Sequence, residues 1–97
     1  GAKRVSVRVL EKTKVVVPDM VASVLSLASG SEVVRFKRVR RAEGKPFSFV
    51  VNYVLPEVGE RVELEWLKSK TMFQVLREEL GLSLGRVRQT VEVGRAD

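Results

Sequence analysis

Between residues 33 and 55, two runs rich in valine and aromatic residues flank the four residues Ala42-Glu43-Gly44-Lys45. Glycine at the second centre of a tight turn supplies the positive φ that a two-residue hairpin loop needs. The runs 33–41 and 47–55 are therefore expected to pair as antiparallel strands. Strand side chains alternate between faces, so Val34, Phe36, Arg38 and Arg40 point one way, and Arg35, Lys37, Val39 and Arg41 the other. With Glu43-Gly44 at the centre, Arg40 is expected opposite Phe47, Arg38 opposite Phe49, Phe36 opposite Val51 and Val34 opposite Tyr53. In that register Arg38 and Arg40 share a face with the most apolar side chains of the hairpin. Arg35, Lys37 and Arg41 share the other, solvated face with Ser48 and Asn52.

The flanking segments suit the same sheet. In residues 4–17, Val5, Val7 and Val9 alternate with Ser6 and Arg8, the period of a half-buried strand. Pro18 ends it, Asp19 is expected to cap a helix, and Val21, Val24, Leu25 and Ala28 recur at helical spacing over residues 19–28 until Ser29-Gly30-Ser31. The acidic stretch from Pro56 to Gly59 is expected to end the second hairpin strand as a turn. In residues 60–68, Val62, Leu64 and Trp66 alternate with acids, which fits a strand and a loose connector equally well. Thr71-Met72-Phe73-Gln74 has the capping-box pattern, Met72, Phe73, Leu76 and Leu80 form an apolar stripe, and Gly81 stands where a left-handed C-terminal residue belongs. Val87, Gln89, Val91 and Val93 alternate as a last strand. The order predicts one α+β domain over residues 1–97, an antiparallel sheet with flanking helices.

Composition removes whole classes of chemistry. The chain has no cysteine and no histidine, so a disulfide framework, a zinc site of the usual ligands, a Ser-His-Asp triad and a Cys-His dyad are all out of reach. No metal or cofactor is expected. No apolar run approaches the roughly 18 residues of a membrane span. The start, GAKR, lacks the apolar core of a signal peptide, so none is expected; the expected location is cytoplasmic. Net charge is +6 and uneven: residues 1–41 hold ten basic and three acidic side chains, residues 42–97 eight and nine. That asymmetry points to an anionic partner for the first half.

Arg38 and Arg40, at one end of an apolar face, have three outlets. They snorkel past the rim, pair with a carboxylate such as Glu63, Glu65 or Glu92, or form the anion-binding end of a pocket. A nucleic-acid footprint fits less well: no helix carries the basic residues as a recognition helix would, and no alternating base-stacking platform appears. The helix start at Thr71 offers free amides suited to an anion, beside the plainer role of capping its own helix.

Four pieces, in this order, resemble one family: Arg38-x-Arg40-x-Ala42-Glu43-Gly44-x-Pro46, Tyr53-x-x-Pro56, Thr71-Met72-Phe73-x-x-Leu76 and Val91-x-Val93-x-x-Ala96. They look like the UTRA domain, the effector-binding domain of the HutC subfamily of GntR-type bacterial transcription regulators. Val21-Ala22-x-x-Leu25-x-Leu27-x-x-Gly30 is similar to the helix and turn that precede the family's hairpin. The resemblance implies a chorismate lyase-like fold and a small anionic effector bearing phosphate or carboxylate. It also implies a homodimer, with DNA bound only through a winged-helix domain outside this chain. By motif, Arg38 and Arg40 hold the anionic group and Thr71 closes round it; the effector-binding set carried over is Arg38, Arg40, Tyr53, Thr71, Met72 and Phe73. Two positions depart from the family: Val50 stands where many members carry Glu, and Phe73 where they carry Tyr, which disfavours a sugar and favours a more apolar anion. The chain is also expected to be partial, since a complete family domain continues beyond Arg95-Ala96-Asp97 with a helix and strands. An unpaired sheet edge then invites a second copy. The alternatives are a chorismate lyase-like enzyme and a purely structural dimerisation domain.

Overall fold

A computed structural model of the chain describes residues 4–83 and 90–96. Strands β1 (Val5–Val16), β2 (Glu32–Ala42), β3 (Lys45–Val54) and β4 (Thr90–Ala96) form one antiparallel sheet in that order. With helices on both faces this is the expected α+β architecture; Val87 and Gln89 of the expected last strand lie outside the described residues.

The hairpin turn forms where the sequence puts it. Glu43 and Gly44 both take positive φ, 53° and 77°, the pattern of a type I′ turn, and Ala42 pairs with Lys45 and Arg41 with Pro46. Then the register changes. Arg40 pairs with Ser48, which leaves Phe47 as the extra residue of a β-bulge. From there Arg38 faces Val50, Phe36 faces Asn52 and Val34 faces Val54. A slip of one residue sends every side chain beyond it to the opposite face. The expected pairing of Arg38 with Phe49 and of Val34 with Tyr53 is thus corrected. Ser48, Val50, Asn52 and Val54 lie with Arg38, while Phe49, Val51 and Tyr53 lie with Arg35 and Lys37.

One face carries the larger core. Val34, Phe36 and Val54 meet Val58, Val62, Leu67, Met72, Val75 and Leu76, all buried. Val58 comes from α2 (Pro56–Gly59), Val62 from the segment after it, Leu67 from a 3₁₀ turn (Leu64–Lys68), and the rest from α3 (Met72–Gln74), which runs on into a π-helical turn over Val75–Glu79. Gly59 permits the close approach of α2, because a β-carbon there would stand 2.8 Å from Cβ of Val34. From β1, Lys12 lays its stem along this edge: its Nζ donates to the Val62 carbonyl at 2.9 Å and lies 5.8 Å from the centre of the Phe36 ring. The other face holds a smaller core, in which Val21, Ala22 and Leu25 of α1 (Asp19–Leu25) join Val17 and Val33, with Tyr53 packed alongside.

Local expectations differ from the structure at four places. Helix α1 stops at Leu25, short of residue 28, because Ser26 turns left-handed (φ 57°). The Ser26 amide then donates to the Ser23 carbonyl and that of Leu27 to Ala22, the paired bonds of a Schellman motif. Pro18 occupies the cap position, and Asp19 is the first helical residue. Pro56–Gly59 is a single helical turn that opens on its proline. Residues 60–68 form no strand, since Val62 and Leu67, five apart, are both fully buried while Leu64 is exposed, which a period of two cannot produce; Leu64–Lys68 is a 3₁₀ turn instead. No helix among the described residues is long and apolar enough to cross a membrane.

Candidate functional site

Along β2 the buried face passes from Val34 and Phe36 to Arg38 and then Arg40. Arg38 is 7% exposed and Asn52 beside it 1%. A guanidinium so deep needs acceptors. Arg38 Nη1 donates to the Lys70 carbonyl at 3.1 Å, and Nη2 donates to Asn52 Oδ1 at 2.9 Å. The Asn52 amide nitrogen donates in turn to Glu92 Oε1 at 3.1 Å, and that oxygen stands 3.9 Å from Arg38 Nη2. Arg38 Nε is buried with no partner among the described residues. Burial pushes the guanidinium pKa down; the Glu92 carboxylate opposes the shift and Arg40 adds to it.

A cleft of about 170 Å³ opens beside this network. Arg38, Arg40 and Val50 line it from the sheet, Glu92 from β4, and Lys70 and Thr71 from the helical layer. The Thr71 wall is tied down by a complete capping box. The Gln74 amide donates to Thr71 Oγ1 at 3.1 Å, and the Thr71 amide donates to Gln74 Oε1 at 2.9 Å. The Thr71 hydroxyl keeps its own proton to give, and the next amides, of Met72 and Phe73, have no acceptor within the helix. Lys70 is held from behind, with Nζ 2.7 Å from Glu79 Oε1 and 3.1 Å from Glu78 Oε1. Those carboxylates raise the Lys70 pKa, and Lys70, followed by Arg77, lowers that of Glu78.

Of the six residues carried over by motif, Arg38, Arg40 and Thr71 line this cleft. Met72 is core, 1% exposed. Phe73 turns outward, its ring 5.3 Å from the Arg77 guanidinium; the buried stripe of the helix is Met72, Val75 and Leu76. Tyr53 lies across the sheet against the α1 core, put there by the bulge at Phe47. Glu92 is the acid that reaches Arg38, whereas Glu65 pairs with Lys68 at 2.9 Å. The sequence reading placed Asn52 among solvated residues and gave Lys70 no role. Asn52 becomes visible only with the bulge, and Lys70 contributes a carbonyl, which no side-chain pattern reveals.

A family model, the UTRA domain, matches residues 2–97. No curated protein matches the chain. Among solved structures, one is the ligand-binding domain of a Bordetella bronchiseptica protein assigned to the GntR-family transcriptional regulators. It is 24% identical with a TM-score of 0.69, over 89% of this chain and 55% of that one. A Streptomyces coelicolor protein assigned as a transcriptional regulator is 21% identical with a TM-score of 0.71, over 99% and 79%. A GntR-family transcriptional regulator from Bacillus cereus is 19% identical with a TM-score of 0.60, over 81% and 55%. The chain spans about half the length of the Bordetella and Bacillus cereus structures, and at these identities the likeness is one of fold.

Proposed function

The chain belongs to the UTRA domain family, and on that premise we propose that it senses a small anionic effector for a bacterial transcription regulator of the GntR type, HutC subfamily. DNA would be bound by a separate winged-helix domain. One observation carries the reading. Folding brings Arg40 and the Thr71 helix start, some thirty residues apart in sequence, to one cleft with Arg38 beneath them.

The three residues have different parts to play. Each terminal nitrogen of Arg38 already donates to a protein acceptor, so we read it as a positioning residue that fixes the Lys70 carbonyl and Asn52. Arg40 is exposed and has no carboxylate partner among the described residues, so its guanidinium is the group open to an effector. Thr71 adds a hydroxyl donor and the positive end of its helix. An anion held between Arg40 and Thr71 ties the sheet to the helical layer. That favours one arrangement of the two layers, which is the differential binding a sensor needs. Among the described residues, strands β1 and β4 are the sheet edges, and edge pairing with a second copy would pass the change across a dimer in the cytoplasm. Catalysis is disfavoured because, among the described residues, Glu92 is the one carboxylate lining the cleft, with no second carboxylate or histidine beside it to share acid–base work.

The test is a thermal-shift series with phosphate, sulfate and small carboxylates on the wild type and on Arg40→Ala, with sedimentation in the same buffers. At ten times its Kd an anion stabilises by about 1.4 kcal/mol, a rise of several degrees for a domain of this size. The expected result is such a rise for at least one anion, absent in Arg40→Ala. If no anion raises the wild-type Tm, the arginines form a solvated and salt-bridged face and the reading fails. A monomer at every concentration would remove the dimer alone.

A further inference from the structure

The cleft holds charges of both signs, and their pairing is uneven. Lys68 is met by Glu65 at 2.9 Å, Lys70 by Glu78 and Glu79 at 3.1 and 2.7 Å, and Arg38 by Glu92 at 3.9 Å. Among the described residues that leaves Arg40 as the lining cation with no carboxylate partner. Glu92 is in the reverse position. Its Oε1 accepts from Asn52, whereas no donor among the described residues reaches Oε2, and the side chain is 57% exposed. The two groups stand at opposite corners of the floor. Arg40 sits in the row of Ser48 and Glu92 in the row of Asn52, four residues further along β3, with β3 between them. At ordinary strand spacings their backbones are roughly 16 Å apart, and the Glu92 carboxylate leans over β3 to reach Asn52 and Arg38. Val50 lies between, on the same face, and offers no polar group.

From this layout we infer that the cleft takes a small zwitterion, an acid group at Arg40 and Thr71 and a protonated amine at Glu92, joined by a short apolar spacer over Val50. The inference rests on the effector-sensing reading and narrows its ligand class. A phosphate dianion suits the layout poorly, because one free cation faces it while the Glu92 carboxylate repels it from the same cavity. A simple carboxylate meets the same repulsion in weaker form. An ammonium group reverses the sign of that term and gives Oε2 a donor. The bond is then charge-assisted at both ends, the strongest kind available to a partly exposed site. Asn52 and Arg38 hold Glu92 in place for it, a use for the buried polar network that packing alone does not explain.

The experiment is calorimetric titration with matched pairs: glycine against acetate, 4-aminobutyrate against butyrate, 6-aminohexanoate against hexanoate, with inorganic phosphate alongside. The proteins are the wild type, Glu92→Gln and Arg40→Ala. Glu92→Gln keeps an oxygen for the Asn52 donor and so preserves the network while removing the charge. For at least one chain length the amine should bind about tenfold tighter than its matched acid, the size of one charge-assisted bond. In Glu92→Gln that preference should fall to within about twofold, with the plain acid binding slightly better than before, while Arg40→Ala loses both. If no chain length favours the amine, if the preference survives Glu92→Gln, or if phosphate outcompetes every amino acid, the zwitterion is wrong and anion sensing stands. If neither the acids nor phosphate bind, the sensing reading falls and this inference with it.

Discussion

On one face of β2, Val34 and Phe36 are 2% and 0% exposed, and Arg38, the next residue on that face, is 7% exposed. Two neighbours so alike in burial are kept dry by different means. Phe36 belongs to an apolar cluster with Val54, Leu67, Met72 and Leu76, and its burial there is favourable by area alone. Arg38 is buried at a cost that only its acceptors offset: the Lys70 carbonyl, Asn52 and, less closely, Glu92. The same strand with the same alternation thus builds a core in one half and a site in the other. The difference lies in how far the helical layer reaches. It covers the sheet at Val34 and Phe36, ends over Arg38 with the Lys70 carbonyl, and leaves Arg40 exposed.

The comparison breaks most visibly if the apolar half is not the stabilising one. Phe36→Ala should cost about 3–5 kcal/mol in urea unfolding, a transfer loss plus a cavity that the strand cannot close. A cost under about 1 kcal/mol would mean that the core tolerates voids and that the two halves do not differ as described. A smaller effect sharpens the polar half. Asn52→Leu keeps similar bulk but strands Arg38 Nη2 and frees Glu92, so it should cost about 1–3 kcal/mol by the same measurement. No loss at all would show that Arg38 is hydrated in solution and that the network is not what holds it.

The smallest effect concerns acid. Glu78, next to Lys70 and then Arg77, has its carboxyl held below the usual range. A depressed folded pKa contributes stability that is fully present above the unfolded value of about 4.3 and is lost as pH falls through the lower folded value. Lys70 then loses a partner, and the cleft wall should loosen before the core does. Amide exchange at residues 70–79, compared with that at Val34 and Phe36, should show extra opening in the helix below about pH 4. Equal change in both would place the weak point elsewhere.

Much of the fold was legible because it depends on neighbours in the chain. Alternation assigns Val34, Phe36, Arg38 and Arg40 to one face whatever their partners, the Thr71–Gln74 capping box closes within one helical turn, and Glu43-Gly44 carries the backbone freedom of its own turn. Arg40 and Thr71 were legible as candidates for the same reason, each by its chemistry and position in a local pattern.

What the sequence could not determine is where those local pieces meet. The bulge at Phe47 exists only as a relation between two strands, yet it decides that Asn52 and Val50 face the cleft and that Tyr53 does not. Glu92 stands beside Arg38 because β4 joins the sheet in one register, and residues 60–68 are no strand because Val62 and Leu67, which alternation would send to opposite faces, both reach the same core. Periodicity is a property of bonded geometry, so one strand suffices to express it. Register and burial are settled by contacts between residues distant in the chain, and the charge of the site follows from them.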